Sequence, residues 1–140
     1  MGAAQPLIDV FGEPIVRKIF SRTWALREQG IDQVEDVILN QNKIDEAEAF
    51  VAGVAVVRHT IADKIIGVCT RSIQFFVSLC QRVDPSMSTY QQKDVQSHQT
   101  QILSNLVEKL GDNLAKVRQA SENAILAMCS HSAFGVQPCI

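Results

Sequence analysis

The chain has few of the residues that interrupt helices. Its 140 residues include only seven glycines and four prolines, too few for a strand-and-turn protein or a low-complexity linker. No apolar run approaches the roughly 18 residues that a membrane-spanning helix needs. Neither sign of charge dominates, with 13 Lys and Arg against 15 Asp and Glu, so binding of nucleic acid through bulk positive charge is not expected. At 46% hydrophobic and 20% charged residues, the composition predicts a globular chain.

Cysteine chemistry is also sparse. The four cysteines are Cys69, Cys80, Cys129 and Cys139, and no two of them form a Cys-x-x-Cys pair. Cys69 and Cys80 lie in apolar helical runs, where a free thiol behaves as a small hydrophobic side chain. Cys129 and His131 have no second ligand pair at a zinc-type spacing. We therefore expect four free thiols and no metal site.

No arrangement of residues typical of an enzyme is present. The glycines are scattered singly, so none of them forms a phosphate-binding loop. His59, His98 and His131 fall in different helical segments, and the carboxylates are spread over polar helix faces. The sequence predicts a protein that is not an enzyme and that needs no cofactor.

Hydrophobic periodicity organises the chain into three pairs of helices. Apolar residues recur every three or four positions within three segments of about 7–40, 44–84 and 97–130. In the first segment, Thr23 is expected to cap a helix that begins at Trp24.

Similar strings at the start of each second helix indicate an internal repeat. They centre on Leu26, Ile65 and Val117. The first spacing fits a HEAT-type repeat of about 40–47 residues, and the second fits one repeat plus a polar insertion at 86–97. The predicted fold class is all-α: an α-solenoid of three HEAT-like hairpins with six main helices. We expect one array over residues 1–140 that is truncated at its C-terminal end, because Phe134–Ile140 resembles the start of a connection to another helix.

The turns inside the three hairpins should line one edge of such a stack. These turns lie at 20–24, 60–64 and 110–114. Basic residues gather at them: Arg22, Arg27, Lys64, Lys109, Lys116 and Arg118. Asp63 and Asp112 lie among them, so the edge is mixed in charge and suits an acidic protein surface better than DNA. The alternative is that these residues are ordinary solvated helix ends.

Trp24 is the most informative single residue of these turns. It is the only tryptophan and lies at the predicted start of a helix. A tryptophan at an exposed turn is a natural binding anchor, because it buries a large apolar area with few rotatable bonds. The alternative is that it packs the first helix pair together, and the sequence leaves both interpretations open.

Three strings give the chain a family resemblance. Ser21–Arg27 (SRTWALR) resembles the first intra-repeat turn of TOG domains, and Lys109–Arg118 (KLGDNLAKVR) resembles a turn common in TOG and other HEAT repeats. Val10–Phe20 (VFGEPIVRKIF) resembles the segment that leads into the single TOG domain of a centrosomal, ciliary-tip protein. On these strings the chain is identified as a member of the TOG domain family.

This resemblance implies a tubulin-binding module. TOG domains bind the αβ-tubulin heterodimer along their turn-lined edge, and three repeats correspond to the N-terminal half, which faces β-tubulin. The implied tubulin-binding residues are Trp24, Arg27, Lys64, Lys116 and Arg118. The implied location is the cytoplasm and cytoskeleton, at the cilium or flagellum tip and the centriole or basal body.

The resemblance also implies which partners the chain binds, and the sequence departs from the family pattern at one position. Other ciliary or centriolar proteins are further implied partners, whereas nucleic acid and membranes are not expected. Gly30 stands where the family favours alanine, which lowers helix stability by up to about 1 kcal/mol. The alternative function is a generic HEAT-repeat scaffold that binds another protein through its concave helical face.

Overall fold

The computed structural model describes residues 5–41 and 44–134, and over these ranges the chain contains seven α-helices and no β-strand. The helices are α1 (Gln5–Phe11), α2 (Glu13–Ile19), α3 (Trp24–Asn40), α4 (Glu46–Thr60), α5 (Ile66–Arg82), α6 (Thr89–Lys109) and α7 (Ala115–Ser130), followed by a short 3₁₀ turn at Ser132–Phe134. None of the helices in these ranges is long and apolar enough to cross a membrane. The predicted all-α class is confirmed.

The helices stack as three hairpins in two layers. α2 packs against α3, α4 against α5, and α6 against α7. In one layer α4 lies between α1 and α6, and in the other α5 lies between α3 and α7. Over the described residues, each hairpin therefore packs mainly against its neighbours, as in an α-solenoid.

The first hairpin departs from the prediction of six main helices. Gly12 has a φ of +89°, in the left-handed region that side chains with a Cβ rarely adopt. It separates α1 from α2, and Pro14 follows in the first turn of α2, where its missing N–H needs no partner. Two short helices thus take the place of one, and α1 extends over α4.

The expected polar connection at 86–97 is also mostly helical. α6 begins at Thr89, because Ser88 and Gln91 form a capping box. The Gln91 amide donates to Ser88 Oγ at 3.1 Å, and the Ser88 amide donates to Gln91 Oε1 at 3.0 Å. Such a pair satisfies two amides that a helix start leaves free. The polar composition of this segment reflects an exposed helix face rather than a loop.

The core is apolar and contains five buried phenylalanines: Phe11, Phe50, Phe75, Phe76 and Phe134. His131 stacks on Phe50 within this core, with ring centroids 4.6 Å apart. His131 Nδ1 accepts from the Ala133 amide at 3.1 Å, so its Nε2 carries the proton and donates to the Val83 carbonyl at 2.6 Å. Both ring nitrogens of this buried histidine are thereby satisfied.

The cysteines only partly match the expectation of four free thiols. Cys69 and Cys80 are free and buried, as predicted. Cys129 is disulfide-bonded, so the prediction is wrong at that position. Cys139 lies outside the described residues. The sequence argument weighed the Cys-x-x-Cys pattern, a zinc-type spacing and the apolar surroundings, none of which reports on pairing between cysteines at other spacings.

A small, buried residue lies between the two helices of each hairpin. It is Gly30 in α3, Ser72 in α5 and Ser121 in α7, each buried. A Cβ on Gly30 would come within 2.9 Å of Ile19 Cδ1 and 3.0 Å of the Ile19 backbone nitrogen. Ser72 Oγ hydrogen bonds to Thr60 Oγ1 at 2.6 Å, and Ser121 Oγ donates to the Leu106 carbonyl. Gly30 is therefore required by close packing, so the expected cost of replacing the family's alanine is offset by a contact that alanine could not make.

Candidate partner-binding edge

The three intra-hairpin turns share one local structure. In each, a side-chain oxygen accepts a hydrogen bond from the amide two residues later, and a helix begins at the next residue. The pairs are Ser21 with Thr23 (3.0 Å), Asp63 with Ile65 (2.9 Å), and Asp112 with Leu114 (2.9 Å). These short turns fix where α3, α5 and α7 begin, and we name them turns 1, 2 and 3.

The side-chain hydrogen bond that the three turns share shows which of their residues are equivalent. Counting from Ser21, Asp63 and Asp112, the residues equivalent to Leu26 are Val68 and Val117. The predicted equivalence of Ile65 is therefore wrong. Thr23 does occupy the N-cap position of α3, but its side chain makes no capping hydrogen bond. Its amide donates to Ser21 Oγ.

Large apolar side chains are exposed along all three turns. The exposed fraction is 53% for Trp24, 40% for Ile65, 41% for Ile66 and 53% for Leu114. Trp24 lies at the first residue of α3, where it was predicted. The sequence analysis did not select the other three as exposed residues, because their spacing continues the apolar pattern of α5 and α7. Only the turn alignment shows that they precede or open their helices.

Arg27 connects turn 1 to turn 2. Its Nε and Nη2 donate to both carboxylate oxygens of Asp63 at 2.7 and 3.2 Å, and its Nη1 donates to the Ser21 carbonyl at 2.9 Å. The side chains of Arg27 and Asp63 are only 16% and 11% exposed. A bidentate pair at this depth is fixed in geometry. The charge of Arg27 is thus neutralised within the chain. We call this ion pair the Arg27–Asp63 clamp.

The other predicted cations are available to a partner. Lys64, Lys116 and Arg118 are exposed, and none of the ion pairs formed by residues 5–41 and 44–134 includes them. Arg118 Nη1 donates to the Asp112 carbonyl at 2.7 Å, the same backbone contact that Arg27 makes to Ser21. Arg118 therefore resembles Arg27 in position but lacks its carboxylate partner.

Two grooves separate the turns. The groove between turns 1 and 2 holds about 480 Å³ and is lined by the Arg27–Asp63 clamp, Phe20 and His59. Phe20 and His59 stack there, with ring centroids 4.2 Å apart, and burial lowers the pKa of His59. This groove is therefore bordered by groups that already contact one another.

The groove between turns 2 and 3 holds about 460 Å³. Its lining combines apolar residues with charges of both signs. The apolar residues include Ile66, Leu114 and Val117, and the charged residues are Glu28, Arg71 and Lys116. No clamp crosses it, because the residue equivalent to Arg27 is Cys69, which is buried and donates to the Ile61 carbonyl at 3.3 Å. The groove between turns 2 and 3 is therefore not closed by an ion pair between the two turns.

Away from the turns, the α3–α5 surface is neutralised within the chain. Arg71 Nε donates to Asp32 at 2.6 Å and its Nη2 to Glu35 at 2.8 Å. The described part of the chain contains no group of three or more His, Cys, Asp or Glu side chains suited to hold a metal ion. Exposed apolar groups and available cations thus coincide at the turn edge, which consists of turns 1 to 3 and the helix starts that follow them.

A sequence profile of the family described as "Centrosomal protein CEP104, TOG domain" matches residues 1–133. The chain belongs to the CEP104 TOG domain family. No curated protein sequence is significantly similar to it.

Solved TOG domains share the fold of this family member. The TOG domain of human Cep104 aligns with a TM-score of 0.69 and 21% identity over 94% of this chain and 52% of the solved chain. A second CEP104 TOG domain structure aligns with a TM-score of 0.68 and 22% identity, again over 94% and 52%. The chain therefore spans about half the length of the TOG domains that it matches.

Proposed function

We propose that this chain is a tubulin-binding module of a microtubule-associated protein and that its turn edge contacts αβ-tubulin. The observation that carries the proposal is Trp24, a half-exposed tryptophan at the start of α3. It lies on the edge where apolar side chains and cations without ion pairs coincide. Membership of the CEP104 TOG domain family supports a cytoskeletal partner.

Each predicted site residue has a distinct role in this proposal. Trp24 is the anchor, since burying an aromatic side chain at an interface centre contributes most of the binding energy. Lys64, Lys116 and Arg118 face the acidic tubulin surface and speed association. Arg27 is a positioning residue, because its guanidinium is bound to Asp63 and holds turn 1 in place.

The finer assignments follow the family resemblance. We propose that the three hairpins are the N-terminal half of a TOG domain, that this half contacts β-tubulin, and that the module acts at the cilium tip and the centriole or basal body. The fold match over about half of each solved TOG domain supports the first of these. The family's centrosomal description supports the last.

Replacement of Trp24 by Ala tests the proposal directly. Tubulin affinity, measured by fluorescence anisotropy with the full chain and labelled tubulin, should fall about thirtyfold, equivalent to about 2 kcal/mol. The matched control is Leu126→Ala, which removes a side chain that is 59% exposed but lies about 18 Å along α7 from Leu114. The control should bind as the unmodified chain does.

Circular dichroism separates the two interpretations of Trp24. A variant that loses its helical signal would make Trp24 a packing residue. A folded Trp24→Ala variant with undiminished affinity would reject the turn edge and favour a scaffold that binds through its helical face. In a further variant, Lys116→Glu with Arg118→Glu should slow association and weaken the salt dependence of binding.

A further inference from the structure

We infer that the contact between hairpin 2 (α4 and α5) and hairpin 3 (α6, α7 and the 3₁₀ turn) is sensitive to acid, because His98 and His131 hold it together only while their rings are uncharged. Acidification should then release hairpin 3 while hairpin 1 (α1 to α3) stays packed on hairpin 2. The inference concerns contacts within the chain and does not depend on tubulin binding.

His98 on α6 accepts a hydrogen bond from hairpin 2. Arg58 Nη1 on α4 lies 3.1 Å from His98 Nδ1. A guanidinium can only donate hydrogen bonds, so Nδ1 carries the lone pair and the single ring proton is on Nε2. That Nε2 faces Asp94 Oδ1, one turn earlier on α6, at 3.7 Å. A second proton would put an N–H group on Nδ1 against the Arg58 donor, and the hydrogen bond would be lost.

The surroundings of His98 favour the uncharged ring. Burial lowers the pKa of His98 below its ordinary value, since the side chain is only 17% exposed. The charged groups that face the ring are Asp94 from its own helix, which opposes this shift, and Arg58 from α4, which adds to it. The ring therefore binds a proton more tightly when hairpin 3 has left hairpin 2 and the ring is in water.

His131 joins the end of hairpin 3 to hairpin 2. Its Nε2 donates to the Val83 carbonyl at the C-terminal end of α5 at 2.6 Å, while its Nδ1 accepts from the Ala133 amide at 3.1 Å. The ring is also stacked on Phe50 of α4, and the side chain is 2% exposed. A proton on Nδ1 would set two N–H groups against each other in a place that water does not reach, so the ring would have to leave the stack.

One carboxylate acts against this effect. Asp84 Oδ1 lies 3.7 Å from His131 Nε2 and would attract a charged ring. The Asp84 side chain is 67% exposed, so water screens the attraction. The carboxylate also faces Nε2, whereas the conflict arises at Nδ1. An ion pair with Asp84 would therefore not replace the acceptor that the Ala133 amide loses.

Hairpin 1 is joined to hairpin 2 by groups that keep their charge in mild acid. The Arg27–Asp63 clamp links the first two turns, and Arg71 on α5 binds Asp32 and Glu35 on α3. Arginine stays charged throughout the physiological pH range, and carboxylates in general become protonated only near about pH 4. The described chain thus uses ion pairs at one hairpin contact and histidine acceptors at the other.

His59 offers a matched control, since it is a partly buried histidine at the other hairpin contact. It lies on α4 and stacks on Phe20 of hairpin 1, with ring centroids 4.2 Å apart. Burial lowers its pKa, Asp63 opposes the shift and Arg27 adds to it. Its contact with hairpin 1 is a ring stack, which a charged imidazole can keep because a positive charge over an aromatic ring is attracted to it.

Hydrogen exchange followed by mass spectrometry tests the inference on the full chain at about pH 7.5 and about pH 5.5, with protection corrected for the intrinsic pH dependence of exchange. A single hairpin cannot bury its apolar face alone, so the helices of hairpin 3 should lose protection on release. One histidine that binds its proton only in the released form, with an ordinary pKa of about 6.5, raises the released population about tenfold over this range. Protection in α7 should therefore fall by about tenfold or more, and protection in α3 by less than about twofold.

Glutamine variants identify the groups responsible, because glutamine is uncharged and its oxygen can still accept a hydrogen bond. The fall in α7 protection should become smaller in His98→Gln and in His131→Gln, whereas His59→Gln should keep the full fall. If His131→Gln does not fold, the ring nitrogen NMR shifts of His131 in the unmodified chain take its place. They should remain those of an uncharged ring with its proton on Nε2 as long as α7 is protected.

Other outcomes would overturn the inference. Equal losses of protection in α3 and α7 would show that acid loosens the whole fold rather than hairpin 3. An unchanged pH response in the His98 and His131 variants, or a charged His131 ring beneath a protected α7, would show that these histidines do not control the contact. Tubulin affinity enters none of these measurements, so the proposed function is tested separately.

Discussion

The junction between turns 1 and 2 differs from the junction between turns 2 and 3, although all three turns have the same backbone pattern. In the first junction Arg27 binds both carboxylate oxygens of Asp63 and the Ser21 carbonyl. In the second, the equivalent of Arg27 is Cys69, buried and directed at its own hairpin. The first junction is closed by an ion pair and the second is left as an open groove.

Equivalent positions in a repeat can thus have different structural roles: Arg27 joins two turns, whereas Cys69 packs within its own hairpin. A partly buried, bidentate pair fixes two turns relative to each other, which holds Trp24 in a defined place. Where that pair is missing, the space between the turns remains accessible, and Ile66 and Leu114 border it. The first junction should therefore respond to mutation as a stabilising contact, and the second as an open groove.

The largest effect is expected at Asp63. Asp63→Ala removes the partner of a nearly buried guanidinium as well as the acceptor for the Ile65 amide, so the free energy of unfolding should fall by about 3 kcal/mol. In the matched variant Asp112→Ala only the Leu114 amide loses its partner, and the expected cost is about 1 kcal/mol. Urea unfolding followed by circular dichroism gives both values. Equal losses would mean that the clamp adds nothing to the turn.

Two glycines should respond in opposite directions to replacement by alanine. Gly30→Ala brings a methyl group to 3.0 Å from the Ile19 backbone nitrogen and should destabilise the fold by about 1–3 kcal/mol despite its better helix propensity. Gly67→Ala meets only the end of the Glu28 side chain and should stabilise by up to about 1 kcal/mol. Melting temperatures of the two variants suffice as the measurement. A destabilised Gly67→Ala would show that the second junction is closed after all.

A smaller effect is expected when the arginines are replaced by lysine. Arg27→Lys keeps the charge but loses the fork that binds Asp63 and Ser21 together, which should cost about 1–2 kcal/mol. Arg118→Lys loses one exposed hydrogen bond to the Asp112 carbonyl and should cost less than about 0.5 kcal/mol. The comparison is made by urea unfolding under identical conditions. A larger loss of stability for Arg118→Lys than for Arg27→Lys would contradict the role of the Arg27–Asp63 clamp.

The smallest effect concerns the neutrality of Cys69. Burial raises the pKa of this thiol, so its contribution to stability is complete below the unfolded thiol pKa of about 8.5 and is lost as the pH rises above it. The free energy of unfolding should therefore fall between about pH 8 and pH 10 more steeply for the unmodified chain than for Cys69→Ala. Urea unfolding in the presence of a reducing agent measures the difference. Parallel slopes would indicate that the thiol ionises as readily in the fold as out of it.

Much of the fold could be predicted because hydrophobic periodicity and turn residues are local signals. The start of α3 at Trp24 and the three hairpins followed from such patterns. The break at Gly12 and the helical segment after Thr89 were missed. In both cases a local feature sets a helix boundary: a left-handed glycine ends α1 and a capping box begins α6. The composition of these segments had indicated a different boundary.

The candidate site was harder to predict, because exposure depends on where a helix begins. Trp24 lies at a helix start as expected, but the sequence left open whether it is exposed. Ile66 and Leu114 have the spacing of core residues and are exposed because they open or precede their helices. Arg27 was selected as a cation for a partner, and the sequence could not show that Asp63 reaches it from the next hairpin. The sequence does contain a signal for the alignment of the turns. Arg27, Cys69 and Arg118 follow Ser21, Asp63 and Asp112 at the same spacing.

The small residues Gly30, Ser72 and Ser121 have a consequence for the shape that a partner meets. Each lies the same number of residues after the side chain that accepts the hydrogen bond of its turn, and each faces the preceding helix of its own hairpin. The size of the side chain at this position limits how closely the two helices can pack. Because a glycine or a serine occupies it in every hairpin, no large side chain separates the helices there. One bulky side chain in this series should push apart the helices of a single hairpin and displace its turn relative to the other two.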